Sequence, residues 1–219
     1  MIANAVDVNE DNSIKIETYQ RTLFVDVDDT CLDLIGGFVC WLGQMNRLKK
    51  VTGLSLSDRI NLGPWLGIND GLAALWTKEF ENQSWQWGAL RPVTNSQQAL
   101  KSIKRQGWKI VALAHGITDL NRALLRRANL ELLFPNVFAD MFTMPAGASF
   151  YPYMKDQEDA VCITASIKTA LDTAQAGHAA YLYDQPWNRE ARNLRIKRFP
   201  NWIEINNALM KTSPTILTN

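Results

Sequence analysis

Short apolar runs alternate with amphipathic helical stretches along most of the chain, and this alternation restricts the fold more than any other feature. Strands that alternate with helices lie parallel in one sheet, because each connection has to cross over a face of that sheet. We therefore predict an α/β fold with a Rossmann-like parallel sheet and helices on both faces. The predicted segments are a helix from Thr94 or Asn95 to Gln106, a strand over 108–113, a helix over 119–130, a strand over 137–142, a helix over 166–175, a strand over 179–183 and a last helix from Asn201 to about Lys211.

An earlier apolar run, Leu23-Phe24-Val25, predicts a first strand that ends at Asp26. Beyond this strand, apolar side chains follow helical spacing from Asp33 to Lys50, with Gly53 as a stop, and again from Leu72 to Phe80. A loop is predicted between these helices at 61–68, where Gly and Pro are frequent. The predicted division of the chain is an α/β core at 18–33 and 90–211, an inserted helical lobe at 34–89, and terminal extensions at 1–17 and 212–219.

Charge and cysteine content argue against several classes of protein. The 219 residues carry 23 Lys and Arg against 22 Asp and Glu, so the chain lacks the positive excess typical of nucleic-acid-binding proteins. A local basic run at 189–198 is interpreted as a solvated helix face. The 3 cysteines fit no metal-binding spacing and indicate a reducing compartment. Because the chain has neither a secretion signal nor a run of about 18 apolar residues, we expect a soluble, cytoplasmic protein, with a homodimer left open.

Three carboxylates, those of Asp26, Asp28 and Asp29, follow the first strand. Open α/β sheets bind ligands beyond the carboxyl ends of their strands, so these side chains lie where a site is expected. If the extended geometry continues past the strand, Asp26 and Asp28 point to the same side. Neighbouring carboxylates repel each other, and a Mg²⁺ ion that also holds water and a substrate phosphate fits such a pair. A solvated acidic turn is the alternative interpretation.

The stretch Phe24-Val25-Asp26-Val27-Asp28-Asp29-Thr30 resembles the first motif of the haloacid dehalogenase-like (HAD) hydrolases, an apolar strand followed by Asp-x-Asp-x-Thr. The resemblance implies a phosphatase in which Asp26 is the nucleophile that forms an aspartyl-phosphate. It assigns to Asp28 the acid/base role of protonating the leaving oxygen and then activating water. It also implies Mg²⁺ as cofactor, with Asp26 and Asp28 among its ligands.

A second stretch, Ala180-Tyr181-Leu182-Tyr183-Asp184-Gln185-Pro186-Trp187-Asn188, resembles the last acidic motif of this family, and most closely its 5'(3')-deoxyribonucleotidase-like branch. By this resemblance Asp184 is a further Mg²⁺ ligand, although Tyr183 stands where many members have a second acid. Asn188 is expected to orient Asp184 or a bound water in the substrate-binding part of the site. A turn that begins at Asp184 before Pro186 is the alternative interpretation.

Two other positions follow from the same resemblance. The family's lysine bridges nucleophile and phosphate, and Lys168, at a predicted helix start, fits it better than Lys155. The family's Ser or Thr at the end of the second strand is replaced by Ala114, and loss of one hydrogen bond to a charged group costs on the order of 1.5–3 kcal/mol. His115 is expected to donate to the phosphate instead, or only to cap the strand end. The departure at Ala114 favours a weakened enzyme or a protein that binds without turnover.

Tryptophan is concentrated in the helical lobe, which holds five of the 8 in the chain. In the family, an insertion at this place is a cap over the site, and aromatic cap residues of the nucleotidase branch contact the base. Trp65 and Trp85 lie off the helical stripes and are predicted to stack on substrate, whereas Phe38, Trp41 and Trp76 are expected in the core of the lobe. The resemblance thus implies a Mg²⁺-dependent phosphatase for nucleoside monophosphates, deoxyribonucleotides above all. The alternatives are an impaired member that binds nucleotide or protein without turnover, and a phosphatase for another small phosphate ester.

Overall fold

The protein is described here by a computed structural model that covers residues 6–8, 14–16, 21–48, 62–189, 193 and 195–212. Strands β1 and β2 form a small antiparallel pair, and β3 to β8 form a parallel sheet in the order β5-β4-β3-β6-β7-β8. The order within the larger sheet is that of a Rossmann fold. The strands are β1 Val6–Val8, β2 Ile14–Ile16, β3 Arg21–Asp26, β4 Trp108–His115, β5 Asp140–Met144, β6 Ala160–Thr164, β7 Ala179–Tyr183 and β8 Ile196–Phe199.

Several helices begin at polar residues whose side chains accept hydrogen bonds from the first turn. Asp33, Asn69, Asp119 and Ser166 each bind a backbone N–H of the helix that follows, as N-cap residues do. The helices are α1 Leu34–Gln44, α2 Leu62–Leu66, α3 Asp70–Gln83, α4 Ser96–Arg105, α5 Leu120–Leu133, α6 Tyr151–Met154, α7 Ile167–Gln175 and α8 Trp202–Thr212, with short 3₁₀ helices at Trp85–Gly88 and Pro186–Asn188.

Apolar side chains from both faces of the parallel sheet are covered by helices. Leu23 and Val25 of β3 belong to a cluster that includes residues of α4, α5 and α8, while Phe24 packs with residues of α6. Strands buried on both faces are continuous apolar runs, which is the pattern at 23–25. The predicted α/β architecture, with a parallel sheet and helices on both faces, is confirmed. None of the helices in the described part of the chain is long and apolar enough to cross a membrane.

Between β3 and α4, the described residues form the helices α1, α2 and α3 and the 3₁₀ helix at 85–88. Phe38, Trp41 and Trp76 are buried, and the ring of Phe38 lies 5.8 Å from that of Trp41 and 5.3 Å from that of Phe80. These rings belong to the same hydrophobic cluster as Leu23 and Val25. The expectation that the aromatic residues on the helical stripes are core residues is confirmed.

Four local predictions need correction. The segment at 61–68 contains helix α2, because Pro64 lies in its first turn, where its missing N–H removes no helical hydrogen bond. The strand predicted at 137–142 lies at 140–144, and β6 was not predicted at all. Lys197 and Arg198 of the basic run lie in the edge strand β8, not on a helix face as predicted. The predicted helix end at Lys50 and Gly53, Arg192 of the basic run and most of both terminal extensions lie outside the described residues.

Candidate active site

A cavity of about 290 Å³ opens beyond the carboxyl ends of β3 and β6. The chain leaves β3 for β4 on one side of the sheet and later returns to β6 on the other, and ligands bind at such a switch of direction. Asp26, Asp28, His115 and Lys168, all predicted as site residues, line this cavity. The structure therefore brings together side chains from three regions that are far apart in sequence.

Asp26 is the last residue of β3 and is almost fully buried. The Thr164 hydroxyl at the end of β6 donates to Asp26 Oδ2 at 2.6 Å and accepts from Ser166 N at 2.9 Å. Burial raises the pKa of Asp26 from 3.8 to about 8, against the Thr164 hydrogen bond, and the carboxylates of Asp28 and Asp29 add to the rise. Ionisation of Asp26 at neutral pH is therefore favoured by a positive charge brought into the cavity.

Asp28 lies two residues beyond Asp26 and forms an ion pair with a buried arginine. Arg126 of α5 approaches from the protein interior, with its Nη2 3.2 Å from Asp28 Oδ1. The arginine side chain is fully buried, whereas 17% of the Asp28 side chain is exposed. An opposite charge at this distance offsets the repulsion between Asp28 and its acidic neighbours.

The loop that carries these carboxylates is held from several directions. Val27 N donates to Leu113 O at 2.8 Å, which continues the pairing of β3 with β4 by one residue. Asp29 has a positive φ of 55° in the turn that follows, a conformation that Asp tolerates better than most residues. The Trp202 indole donates to Thr30 O at 2.7 Å, and Thr30 Oγ1 accepts from Ala165 N at 2.9 Å. These contacts fix the backbone around the two acids.

Lys168 lies in the first turn of α7, at the edge of the cavity, and half of its side chain is exposed. Its Nζ lies 3.1 Å from Ala148 O and 3.2 Å from Asp172 Oδ2. Burial alone would raise the pKa of Asp172, but hydrogen bonds from Phe150 N, Ser149 Oγ and Lys168 outweigh it and keep this pKa below its usual range. The ionised Asp172 thus anchors the lysine beside the cavity.

The end of β4 differs from the expectation by one residue. Ala114 is fully buried in the hydrophobic cluster on the Val25 face of the sheet, whereas His115 lines the cavity. Successive strand residues point to opposite faces, so His115 lies on the same face as Asp26 and Ala114 does not. We therefore correct the prediction that Ala114 takes the phosphate-binding position. Burial lowers the pKa of His115, whose Nε2 is 3.5 Å from Thr169 Oγ1.

The structure does not bring Asp184 to this cavity. Asp184 follows β7, which is separated from β3 by β6. Its carboxylate is 2.8 Å from Arg198 Nη1 and 3.5 Å from Arg189 Nε. Among the residues that the structure describes, no three His, Cys, Asp or Glu side chains are grouped as ligands for a metal ion. The expectation of Asp184 as a Mg²⁺ ligand together with Asp26 and Asp28 is corrected, because one strand lies between the two places.

Asn188 is fully buried and has a structural environment. Its Nδ2 donates to Ala165 O at 3.0 Å and to Tyr183 O at 2.8 Å, and its Oδ1 accepts from Gln185 N at 3.1 Å and from Arg198. These bonds tie the loop after β7 to the carboxyl end of β6. The amide's hydrogen-bonding atoms are all occupied within the protein, which leaves none for a bound water. Arg198 Nη1 links Asn188 Oδ1 to Asp184 Oδ1, and the expectation that Asn188 orients Asp184 stays a prediction.

Neither tryptophan predicted to stack on substrate lines the cavity. Trp65 of α2 is buried in the hydrophobic cluster, because its position in a short helix turns it inward. Trp85 is 71% exposed at the start of a 3₁₀ helix. Trp187 lines the cavity instead, because the loop after β7 folds over the carboxyl end of β6.

Sequence reasoning missed three residues of the site or its support. Thr164 ends a continuous apolar run that is followed by the helix cap Ser166, and this pattern is a usable signal for a buried strand. Trp187 lies within the stretch at 180–188 that resembles the acidic motif, but that motif assigns no function to the tryptophan. Arg126 lies in an ordinary amphipathic helix, and no local pattern distinguishes it from the exposed Arg127 beside it.

The carboxylates at the end of β3 fit Mg²⁺, with two protein ligands in place of the three that were expected. Mg²⁺ is commonly held by one or two carboxylates, with water and substrate phosphate in the remaining positions. Asp26 and Asp28 supply two such groups, and the burial that raises the Asp26 pKa is relieved by a cation. The expected third carboxylate is not part of this group, so substrate phosphate and water would have to supply the remaining ligands of a bound Mg²⁺.

No family model and no curated protein sequence matches the chain. Solved structures do. A HAD-superfamily hydrolase from Ehrlichia chaffeensis aligns with a TM-score of 0.53 at 16% identity, over 87% of this chain and 96% of that one. The HAD hydrolase YfnB from Bacillus subtilis, solved with magnesium bound, aligns with a TM-score of 0.57 at 15% identity, over 88% and 99%. The chain has the HAD-like fold. A HAD phosphatase from Thermococcus onnurineus shares this fold at 14% identity, with a TM-score of 0.51 over 87% and 98%.

Proposed function

We propose that this protein hydrolyses small phosphate monoesters at the cavity beyond β3. The observation that carries the proposal is the group formed by Asp26, Asp28, His115 and Lys168 around one cavity in a HAD-like fold. Two carboxylates at the end of a strand supply a nucleophile and a proton donor, while a lysine and a histidine supply hydrogen bonds to phosphate.

In the proposed reaction, a carboxylate oxygen of Asp26 attacks phosphorus, and the bond from phosphorus to the leaving oxygen breaks. Asp28 gives its proton to that oxygen, which departs as an alcohol, and an aspartyl-phosphate remains on Asp26. Asp28 then takes a proton from water, which attacks phosphorus and releases phosphate and the Asp26 carboxylate. The Thr164 hydroxyl holds Asp26 Oδ2, so we assign the attack to Oδ1.

Asp26 and Asp28 are the residues that would hold Mg²⁺. The ion supplies positive charge that lowers the repulsion between the nucleophile and the phosphate dianion. Lys168 and the N-terminal end of α7, which begins at the cavity, supply further positive potential for the phosphate. His115 is the phosphate ligand that replaces the hydroxyl expected from the family pattern.

For the substrate we propose nucleoside monophosphates, with deoxyribonucleotides first. A second, mostly apolar cavity of about 270 Å³ lies between α1 and α3 and shares Leu34 with the phosphate cavity. Phe38 and Phe80 are among its walls, and Trp187 stands at the phosphate cavity. A flat base with a phosphate at one end suits two adjoining cavities of this kind. We propose that residues 34–89 act as the lid over the site.

Binding without turnover is the second candidate function. It is favoured by the carboxyl end of β6, next to Asp26, where the chain reads Thr164-Ala165-Ser166 and offers no carboxylate. A weaker hold on Mg²⁺ leaves the negative charges of the site and of a phosphate dianion less fully offset. The cavity would then retain a nucleotide without cleaving it.

Both functions are tested by measuring phosphate release from a panel of nucleoside monophosphates and other phosphate monoesters. Each compound is assayed with Mg²⁺ and with a chelator. Isothermal titration calorimetry of the same compounds accompanies it. Release that depends on Mg²⁺ and is fastest for nucleoside monophosphates supports the first proposal. Saturable binding with no release supports the second, and absence of both contradicts the two together.

A further inference from the structure

Helix α5 carries a stripe of polar side chains at helical spacing, formed by the partly buried Arg122 and the buried Arg126 and Asn129. The stripe faces the segment that leads from the helical lobe back to the core. Asn129 pairs with both backbone groups of Leu90, since its Nδ2 donates to Leu90 O and its Oδ1 accepts from Leu90 N, each at 3.1 Å. Buried arginines are uncommon, and the proposed reaction assigns them no role.

The guanidinium groups of both arginines lie over one indole ring. The guanidinium of Arg126 lies 3.9 Å from the centre of the Trp87 ring, and that of Arg122 lies 4.8 Å from it. Arg126 Nη1 also donates to Trp87 O at 3.3 Å. Arg122 Nη2 is 3.0 Å from Glu81 Oε2 of α3. Trp87 is fixed in turn, because only 1% of its surface is exposed.

The remaining side of Arg126 faces Asp28, at 3.2 Å between Nη2 and Oδ1. Guanidinium is planar and remains charged at all accessible pH values, so an arginine held on its face and at Nη1 is a rigid cation. Asp28 is the partly exposed member of the pair. The side chain that is free to adjust is therefore the carboxylate, and its position is determined by the arginine.

We propose that Arg126 is a positioning residue that turns Asp28 Oδ1 toward the interior and thereby presents the other carboxylate oxygen to the leaving group. This inference rests on the proposed function. A proton donor has to lie within hydrogen-bond reach of the oxygen that it protonates, so loss of this orientation impairs proton transfer more than phosphate binding. Trp87 supports Arg126 through its ring and its backbone carbonyl.

The test uses two esters that differ in their need for a proton. The p-nitrophenolate group leaves without protonation, whereas the alkoxide of a nucleoside 5'-monophosphate requires it. We expect Arg126→Met to lower kcat for the nucleotide about 100-fold, as loss of general acid assistance does, and for p-nitrophenyl phosphate less than about 5-fold. Arg122→Met, the matched control that stacks on the same ring without touching Asp28, is expected to affect both esters equally. Arg126→Lys should restore part of the nucleotide activity.

A double variant keeps the proposal testable if Arg126→Met fails to fold. Asp28→Asn with Arg126→Met removes both members of the pair and leaves no unpaired buried charge. We expect its kcat for the nucleotide to equal that of Asp28→Asn alone. Equal losses for both esters in the folded Arg126→Met, or a double variant well below Asp28→Asn, would overturn the assignment of Arg126. A wild-type protein that turns over neither ester would overturn the proposed function first, and the role of Arg126 with it.

Discussion

Asp28 and Asp184 are alike in sequence and differ in the structure. Each comes just after a short buried strand, and each resembles an acidic motif of the HAD hydrolases. Asp28 follows the strand at the switch of sheet direction and lines a cavity. Asp184 follows a strand two places away in the sheet and is neutralised by arginines of its own loop and of β8. The position of a strand in the sheet, more than the local motif, decides which carboxylate is available to a ligand.

The arginine partners of these two acids also differ in burial and in what they contact. Arg198 of β8 is partly exposed and contacts both Asp184 and Asn188, so its ion pair with Asp184 holds the loop after β7 against β8. Arg126 is fully buried, and its partner faces the cavity. The same type of ion pair therefore stabilises a loop at one place and is proposed to orient a reactive group at the other.

The largest effect is expected for Asp26→Asn. An amide is not a nucleophile toward phosphorus, so kcat should fall on the order of 10³-fold or more. Phosphate release under saturating substrate measures it. The melting temperature should not fall, because the amide is neutral at a position where burial disfavours a charge. A variant with a tenth of wild-type activity would contradict the role of Asp26.

The direct contrast between the two acids comes next. Asp28→Asn should lower kcat for a nucleotide about 100-fold, because the amide neither gives nor takes the proton. Asp184→Asn should change kcat less than about 3-fold, since this residue lies at no reacting atom. Both variants are measured with the same substrate and Mg²⁺ concentration. A larger loss in Asp184→Asn than in Asp28→Asn would restore the motif-based assignment.

Substitutions in the loop that carries Asp184 should instead lower the free energy of unfolding. Asn188→Ala removes the donor for the buried Ala165 O and for the partly buried Tyr183 O, and the acceptor for the partly buried Gln185 N. Buried groups left unpaired cost about 1–3 kcal/mol each, so we expect unfolding in urea to become easier by about 2–4 kcal/mol. Trp85→Ala, at an exposed position, is the control and should change this free energy by less than about 0.5 kcal/mol.

The smallest expected effect is the contribution of His115, at the cavity, to the pH dependence of the free energy of unfolding. Burial lowers the pKa of His115 below 6.5, so on acidification the unfolded chain takes up a proton before the folded chain does. The free energy of unfolding should therefore fall as pH decreases from 6.5 toward the folded-state pKa. His115→Gln should remove this part of the pH dependence in urea titrations between pH 7 and about 5. An identical slope in both proteins would contradict it.

Much of the fold follows from the sequence, because alternating apolar runs and helical stripes specify a parallel sheet. The acids at the end of β3 follow from one local motif. The strand β6 did not enter the prediction, and Asp184 in the loop after β7 was expected beside Asp26 because its motif resembles an acidic motif of the family. Ala114 was expected at the phosphate position but points to the other face of the sheet, because a shift of one residue along a strand reverses the side-chain direction. Arg126 depends on packing between α5 and the 3₁₀ helix at 85–88, which no local pattern encodes.

The covalent intermediate on Asp26 is the most direct test of the account. The protein is mixed with a nucleoside monophosphate and Mg²⁺, quenched during turnover and reduced with borohydride, which converts an aspartyl-phosphate to homoserine. Peptide mass spectrometry then locates the changed residue. The account predicts homoserine at position 26 in the wild type and none in Asp26→Asn. Phosphate release with an unchanged Asp26, or homoserine at Asp28 or Asp184, would contradict it.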